Sequence, residues 1–339
     1  MSLKERIYRF MERIARRERL SAVDESLQLK RSISIVDELG SRPVNVSVVI
    51  PTFLRDPSEL SGYRYEVLRN ELVVLGQLLT RGLIDEIIIV DGSRARRAEL
   101  DERLVGQIIL SAYRSIPLFH DQVDLLNRFP ALKDKAKLGF YDFVLKVVHQ
   151  LDPQISMAMR KLGIFFNAPV GKGVGLWLGV GASSGDVMVF LDSDIRNLEG
   201  WQVAALIKPI LRTFKDKKSK VEFVKAYYAR LSVNLDSPER GFYKLGGRVT
   251  RLFMIPMLRV LAKRGILKGL EKLRYPLSGE FAGKRSFIES LSFPMDYGVE
   301  TGMLVEIWRR GEVDKLVEVD LNLFQHFPRD EGSAIKMIK

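Results

Sequence analysis

An apolar run that ends in two closely spaced carboxylates constrains this chain more than any other feature. Val187-Met188-Val189-Phe190-Leu191 is typical of a buried strand, and Asp192-Ser193-Asp194 follows it directly. Ligands of α/β sheets collect at the carboxyl ends of the strands. Carboxylate oxygens, together with water and diphosphate oxygens, are the usual ligands of Mg²⁺. The pattern therefore predicts a cation and a phosphorylated ligand at this strand end, with a solvated acidic loop as the alternative for the motif taken alone.

The segments before this run predict a parallel sheet. Val44 to Ile50 is an apolar run that ends at Pro51, Tyr65 to Arg81 has helical character, and Ile84 to Val90 is a second apolar run before Asp91-Gly92-Ser93. Strand, helix and strand in this order favour a parallel α/β arrangement. We expect a Rossmann-like sheet that carries polar groups at its strand ends.

The rest of the chain divides by pattern into three regions. We expect a basic helical N-terminal extension over 1–43, a sheet region over 44–200 with a mainly helical insert at 96–165, and a C-terminal region over 201–339. The elements predicted around and beyond the insert are a helix from Gly171-Lys172-Gly173 to Ala182, strands at Val221–Tyr228 and Lys315–Phe324, a polar loop at Ser232–Gly247, and helices at Val249–Leu273 and Val299–Arg310.

Composition narrows the classes of function. The 339 residues include no cysteine, which excludes disulfides and thiolate metal sites, and only three histidines, which argues against a metal cage of several histidines. The net charge of +12 suits a nucleic acid, an anionic membrane or small anionic substrates. Because no zinc-finger or RNP signature is present, we expect no nucleic-acid partner. The sequence has no membrane-spanning apolar run and no signal-peptide pattern at Met1, so we expect a cytoplasmic protein without a transmembrane segment.

Two glycine-containing segments have the chemistry of anion binding. In Gly246-Gly247-Arg248-Val249-Thr250 the glycines let backbone N–H groups approach an anion, and Arg248 can bind a phosphate or carboxylate through two hydrogen bonds. Lys172 lies between two glycines and suits an anionic ligand as well. An ordinary glycine turn with an exposed cation is the alternative for each segment alone.

The order of these motifs resembles that of the GT-A nucleotide-sugar glycosyltransferases over about residues 44–200. The resemblance implies that Pro51, Thr52 and Asp91 hold the base and ribose of the donor. It implies that Lys172, Asp192 and Ser193 lie at the donor site and that the Asp-x-Asp motif holds Mg²⁺ or Mn²⁺ on the diphosphate.

The second half is similar to the glucosyl-3-phosphoglycerate synthases, a retaining family that includes enzymes using GDP-mannose. The resemblance rests on Gly246–Thr250, Pro276-Leu277-Ser278-Gly279-Glu280, Tyr297-Gly298-Val299-Glu300-Thr301-Gly302 and the late His326. It implies transfer of a hexose, foremost glucose, to the 2-hydroxyl of 3-phosphoglycerate by a cytoplasmic homodimer. The implied site residues are Gly247, Arg248, Val249 and Thr250 for the acceptor, Glu300 and Arg248 for catalysis, Tyr297 for the donor sugar, and Asp192, Asp194 and His326 for the metal.

Some features depart from the family pattern and leave alternatives open. No acidic residue follows Pro51 closely, the 96–165 insert is long, and Phe327-Pro328 replaces more polar residues. UDP-glucose is the first donor candidate, with GDP-mannose or GDP-glucose as alternatives. A GT-A transferase acting on a lipid phosphate, with peripheral membrane contact, stays open because the N-terminal region is basic and amphipathic. A basic RNA- or membrane-binding protein is the non-enzyme alternative.

Overall fold

A computed structural model describes residues 44–53, 63–93, 144–161, 171–216, 218–233 and 243–326. The predicted 1–43 extension, the first part of the insert up to residue 143 and Phe327-Pro328 lie outside these residues. The chain forms two compact units. The described part of the first unit comprises 44–53, 63–93, 144–161, 171–193 and 283–299, and that of the second comprises 194–216, 218–233, 243–282 and 300–326.

The first unit contains the predicted parallel sheet. Its strands lie in the order β3 (Leu145–His149), β2 (Glu86–Asp91), β1 (Val46–Thr52) and β4 (Val187–Phe190). The pairs β1–β2, β1–β4 and β2–β3 are all parallel. Buried aliphatic side chains fill β1, β2 and β4, as expected for strands covered on both faces. The α/β expectation and three of the strands are therefore confirmed.

One part of the predicted helical insert is a strand, so that prediction was wrong for residues 145–149. Strand β3 pairs with β2 from Ile87↔Leu145 to Asp91↔His149. The segment is short and contains the β-branched pair Val147 and Val148, and the edge of β2 supplies its hydrogen-bonding partner. Helix α2 (Pro153–Lys161) follows β3 within the described end of the insert.

Helices α1 (Tyr63–Thr80), α3 (Lys172–Ala182) and α6 (Arg285–Glu289) complete the described part of the first unit. Gly179 lets α3 approach β1 closely, because an added Cβ would lie 2.3 Å from a methyl carbon of Val49. Gly173 faces the carbonyl of Pro294 in the same way, at 1.7 Å from an added Cβ. Gly173 and Gly179 of α3 therefore allow close packing within the first unit.

The second unit is built on the long strand β5 (Phe223–Val233). Its neighbours include the antiparallel β6 (Tyr243–Leu245), the parallel β8 (Leu316–His326) and β7 (Phe281–Lys284), whose last two residues fall in the first unit. The prediction of a loop throughout Ser232–Gly247 was wrong at both ends, since β5 continues to Val233 and β6 pairs with it. Long-range pairing gives these polar segments a regular conformation that their composition does not indicate.

Residues 249–273 do not form the single predicted helix. A π-helical turn (Thr250–Met254) leads into α5 (Ile255–Lys263), and a 3₁₀ turn follows at Leu270–Lys272. Pro256 has no N–H for a regular helical hydrogen bond. Gly265, just after α5, has φ 79°, and this left-handed backbone conformation ends the helix. Gly269, with φ 102°, lies directly before the 3₁₀ turn.

Helix α4 (Gly200–Lys215) packs on β5 and β8, and α7 (Val299–Arg309) is followed by a 3₁₀ turn at Val313–Lys315. A reciprocal capping box between Glu199 and Gln202 begins α4. Its apolar face buries Val203, Leu206 and Ile207. None of the helices in the described ranges has the length and apolar character that crossing a membrane requires.

Candidate active site

A buried polar cluster lies at the carboxyl ends of β1 and β2 in the first unit. Asp91 accepts hydrogen bonds through Oδ1 from Thr52 Oγ1 at 2.9 Å and from Ser93 Oγ at 2.5 Å and N at 3.1 Å. Within the described chain, Asp91 Oδ2 is buried and has no hydrogen-bond partner. Burial raises the pKa of the Asp91 carboxyl, although the hydrogen bonds from Ser93 and Thr52 act in the opposite direction. Thr52 and Asp91, both predicted donor residues, are therefore held together by direct contact.

Sequence reasoning assigned no role to His149, yet this residue supports the same cluster. Its Nδ1 accepts the N–H of Leu151 at 3.1 Å, so a neutral ring carries its proton on Nε2. That Nε2 lies 2.8 Å from the carbonyl oxygen of Ser93 and 3.8 Å from Asp91 Oδ2. Two backbone groups thus fix the ring beside the Asp91 carboxylate. The β3 strand that carries His149 was predicted to be helical, so the sequence did not indicate that His149 lies beside Asp91.

Lys172 and Asp192 form an ion pair in the first unit. Lys172 Nζ lies 2.7 Å from Asp192 Oδ1, and the two side chains are largely shielded from solvent. Lys172 is the first residue of α3, directly after Gly171. The structure therefore brings together two residues that the sequence assigned to the donor diphosphate, one cationic and one anionic.

Asp194 and His326 meet in the second unit. His326 is the last residue of β8 and is fully buried, and its Nδ1 lies 3.1 Å from Asp194 Oδ1. Neighbouring ligands of an octahedral ion with bonds of about 2.1 Å are about 3 Å apart, so this pair fits the predicted metal site. The guanidinium of Arg230 lies 3.9 Å from Asp194 Oδ2 and adds positive charge on the other side of the carboxylate.

An aromatic cluster surrounds His326. The Tyr228 ring stacks with His326 at a centroid distance of 5.9 Å and with Tyr275 at 4.8 Å. Phe324 contacts both Tyr228 and His326. The Tyr228 hydroxyl donates to Glu280 Oε2 at 2.6 Å, and Glu280 is fully buried. This packing fixes the imidazole beside Asp194.

The predicted anion-binding segment lies against the same residues. Gly247 has φ 69°, and an added Cβ would lie 2.6 Å from the Tyr275 hydroxyl. Gly246 donates its N–H to the Arg230 carbonyl at 2.7 Å and accepts from Arg251 Nη2 at 2.9 Å. Glycine is thus required at 247 by both its backbone conformation and its neighbour. Arg230 links this segment to Asp194 within one unit.

The side chains of the segment differ in exposure. Arg248 is exposed, Val249 is half-buried, and Thr250 is buried where the π-helical turn begins. An exposed guanidinium beside a glycine pair can reach an anionic ligand without first leaving a buried position. The arrangement suits the predicted phosphoglycerate contacts, which stay a prediction.

The remaining predicted residues occupy separate places. Pro51 and Ser193 are half-buried in the first unit, and Tyr297 in that unit is 48% exposed. Glu300 belongs to the second unit and is buried in the first turn of α7, where a carboxylate is favoured by the helix dipole. Within the described ranges no group of three or more His, Asp or Glu side chains is placed to hold a metal ion. The inclusion of Asp192 with Asp194 and His326 stays a prediction.

Sequence reasoning missed Arg230, Tyr228 and Tyr275. Each lies far along the chain from the residue it contacts, and no local motif surrounds it. Tyr227-Tyr228 in a predicted strand was the one available signal, because alternate strand residues face opposite sides and a buried tyrosine hydroxyl needs a partner.

No family model matches the chain. It is 33% identical over 184 residues to the glucosyl-3-phosphoglycerate synthase of Methanococcoides burtonii, covering 53% of this chain and 43% of that protein. It is 35% identical over 167 residues to the synthase of Mycobacterium tuberculosis H37Rv, covering 49% and 48%. The chain thus spans less than half the length of these curated relatives.

Solved structures of the Mycobacterium tuberculosis synthase also match. One, in complex with Mn²⁺, UDP-glucose and phosphoglyceric acid, has a TM-score of 0.59 at 24% identity and covers 90% of this chain and 79% of that one. Another, with Mn²⁺, UDP and glucosyl-3-phosphoglycerate, has a TM-score of 0.57 at 26% identity, covering 89% and 79%. The chain has the α/β fold of the GT-A glycosyltransferases. Over the half that they match, its relatives confirm the resemblance to the glucosyl-3-phosphoglycerate synthases.

Proposed function

We propose that this protein transfers glucose from UDP-glucose to the 2-hydroxyl of 3-phosphoglycerate with retention of the anomeric configuration. The observation that carries the proposal is the link between the Asp194–His326 pair and the Gly246–Thr250 segment through Arg230. This arrangement places a candidate metal-binding pair and a candidate anion-binding segment in one unit. The solved structures named above, of the Mycobacterium tuberculosis synthase, hold UDP-glucose, phosphoglyceric acid or glucosyl-3-phosphoglycerate, which supports this choice of donor and acceptor.

On the donor side, the cluster of Thr52, Asp91 and Ser93 binds the nucleoside, with Pro51 beside it. The buried Asp91 carboxylate accepts three hydrogen bonds through one oxygen, which leaves the other for a ribose hydroxyl. Lys172 is held by Asp192 in the absence of an anion. A diphosphate competes for that ammonium, so Lys172 shares its charge with the leaving group.

A divalent cation is the expected cofactor. Asp194 and His326 would hold Mg²⁺ or Mn²⁺, and the Asp192 carboxylate, two positions before Asp194, and Ser193 belong to the same short segment. When bound, the ion supplies electrostatic stabilisation of the departing diphosphate. Because Tyr228 and Phe324 pack on His326, the imidazole has little freedom to leave its place beside Asp194.

On the acceptor side, Arg248 and Thr250 bind the phosphate or carboxylate of 3-phosphoglycerate, with Gly247 and Val249 contributing backbone N–H groups. Arg248 is exposed, and Gly247 is held in a left-handed conformation. Glu300 positions the acceptor hydroxyl, and the exposed Tyr297 contacts the donor sugar. Each of these roles follows the family resemblance.

The reaction breaks the bond between the anomeric carbon and the diphosphate oxygen and forms a bond to the acceptor oxygen on the same face. The hydroxyl proton passes to the departing phosphate oxygen. No enzyme nucleophile is required on this route. Lys172 lowers the barrier through charge stabilisation, an effect worth about 3 kcal/mol when a comparable donor is removed.

The cellular setting belongs to the same proposal. Both substrates are phosphorylated metabolites made inside cells, which favours a cytoplasmic location. A homodimer is expected from the family resemblance alone.

The experiment is a nucleotide-release assay with the purified chain. UDP-glucose, GDP-glucose and GDP-mannose are each incubated with Mg²⁺ or Mn²⁺, with and without 3-phosphoglycerate. We expect UDP release that depends on both the acceptor and the metal and is lost in Asp194→Ala. Release that proceeds equally without acceptor, or that depends on a lipid extract instead of 3-phosphoglycerate, contradicts the proposed acceptor.

A further inference from the structure

Gln150 lies directly after β3 and joins two turns of the first unit. Its side chain is 3% exposed. Its backbone N–H donates to the Asp91 carbonyl at 2.8 Å, which continues the pairing of β3 with β2. Its side-chain Oε1 accepts the N–H of Gly171 at 3.0 Å. One residue therefore binds the end of β2 through its backbone and the start of α3 through its side chain.

Two glycines make room for the Gln150 amide. A Cβ added at Gly92, in the turn after β2, would lie 2.8 Å from Gln150 Nε2. A Cβ added at Gly175, in the first turn of α3, would lie 2.8 Å from the same nitrogen. Gly92 and Gly175 belong to different elements, yet the same amide occupies the space that each leaves open.

Each turn carries residues of the candidate donor site. Gly92 lies between Asp91 and Ser93, which are hydrogen-bonded to one another. Gly171 precedes Lys172, whose ammonium lies 2.7 Å from Asp192. The Gln150 side chain thus separates a nucleoside-binding turn from a turn that carries a diphosphate-binding lysine.

We propose that Gln150 is a positioning residue that fixes the spacing between these two turns, so that one nucleoside diphosphate reaches both. The inference rests on the proposed function for the identity of the ligand. A glutamine that only stabilises the unit would affect donor and acceptor kinetics equally. Loss of a side chain that holds two parts of the donor site in place raises the KM for the donor and leaves the KM for the acceptor unchanged.

The first test removes the hydrogen bond and keeps the bulk. Gln150→Met has a similar length and volume without an acceptor for Gly171, and Gln150→Ala also removes the packing. We expect the KM for UDP-glucose to rise roughly tenfold in Gln150→Met, the effect of one lost hydrogen bond. The KM for 3-phosphoglycerate is expected to change less than twofold. Equal rises for both substrates, or no rise for the donor, overturn the proposal.

A matched pair of glycine variants tests the packing. Gly175→Ala and Gly181→Ala lie in the same helix and gain the same helix propensity. The new methyl group at 175 meets the flexible end of Gln150, whereas at 181 it has no heavy atom within 4 Å. We expect only Gly175→Ala to raise the KM for UDP-glucose.

The double variant Gly175→Ala/Gln150→Ala isolates the contact, because truncation of Gln150 makes room for the methyl group. We expect the rise in donor KM to be smaller than the product of the two single effects. If Gly175→Ala behaves like Gly181→Ala, or if the two changes are independent, Gln150 does not act through this contact.

Hydrogen exchange separates this proposal from the proposed function. In the protein without ligands, the Gly171 amide is expected to exchange faster in Gln150→Met than in the wild type, while amides of α4 keep their rates. If the wild type neither binds UDP nor turns over UDP-glucose, the proposed function fails. The exchange rate of the Gly171 amide alone then tests whether Gln150 holds the two turns together. An unchanged Gly171 exchange rate in Gln150→Met overturns the positioning role of Gln150, and a faster rate supports that role.

Discussion

The hydrogen bond between Tyr228 and Glu280 is expected to stabilise the second unit substantially. Its length of 2.6 Å and the full burial of Glu280 are typical of a strong hydrogen bond to a carboxylate. Tyr228→Phe removes one oxygen and leaves the ring stacks with Tyr275 and His326 in place. The substitution therefore tests the hydrogen bond and not the aromatic packing.

The magnitude follows from the environment of the carboxylate. Removal of one partner leaves a buried polar acceptor with one donor fewer, which costs about 1–3 kcal/mol. We expect Tyr228→Phe to lower the free energy of unfolding by about 2 kcal/mol. The preceding residue provides the control, because the half-buried Tyr227 hydroxyl, which accepts a hydrogen bond from the exposed Arg274 and also bonds Asp320, lies where solvent can replace its lost partners. Tyr227→Phe is expected to change the free energy of unfolding by no more than about 0.5 kcal/mol.

Urea unfolding of the wild type and both variants gives each free energy of unfolding as the product of the urea midpoint and a common slope. A fall of about 2 kcal/mol in Tyr228→Phe only is the expected result. Equal losses in the two variants, or a Tyr228→Phe protein as stable as the wild type, would refute the assignment of this hydrogen bond as a strong buried interaction.

Four further predictions concern the first unit and the proposed reaction. Burial alone would raise the pKa of the Glu86 carboxyl, but hydrogen bonds from Lys146, Ser47 and Ser184 lower it below 4.5. The stability that this carboxylate contributes is therefore lost as the pH falls through the lowered pKa. Urea unfolding across that pH range should show a shallower loss of stability in Glu86→Gln than in the wild type. Lys172→Ala should reduce kcat/KM for UDP-glucose by about 100-fold in steady-state assays, through loss of charge stabilisation. Arg248→Lys should raise the KM for 3-phosphoglycerate by roughly tenfold without changing the thermal midpoint, because the side chain is exposed and lysine lacks the two-pronged geometry. Chelation should abolish turnover, Mn²⁺ or Mg²⁺ should restore it, and calorimetry should show weaker Mn²⁺ binding to Asp194→Asn than to the wild type.

The strands that the sequence predicted well are those with long buried runs. Val46–Thr52, Glu86–Asp91 and Val187–Phe190 lie within one or two residues of their predicted bounds because both faces are covered and the apolar pattern is continuous. Strand β3 is short, and its pairing with β2 decides its conformation. Strand β7 was not identified because Phe281–Lys284 contains a single large apolar residue and depends on neighbouring strands.

The ordered sequence motifs predicted much of the candidate site, but they did not predict the residues that support it. Lys172 with Asp192 and Asp194 with His326 were each assigned to one site, and each pair is in contact. His149 carries no motif, and its role depends on the register Asp91↔His149. Pair contacts between distant segments are set by tertiary packing, which a single sequence does not display.

The configuration of the product decides whether this chain transfers glucose to 3-phosphoglycerate with retention. Purified protein, UDP-glucose, Mn²⁺ and 3-phosphoglycerate are combined, and the product is analysed by proton and carbon NMR. We predict an α-linked glucosyl group on the 2-oxygen of 3-phosphoglycerate, formed together with UDP. A β-linked product, a different acceptor atom, or free glucose as the sole sugar product would contradict it.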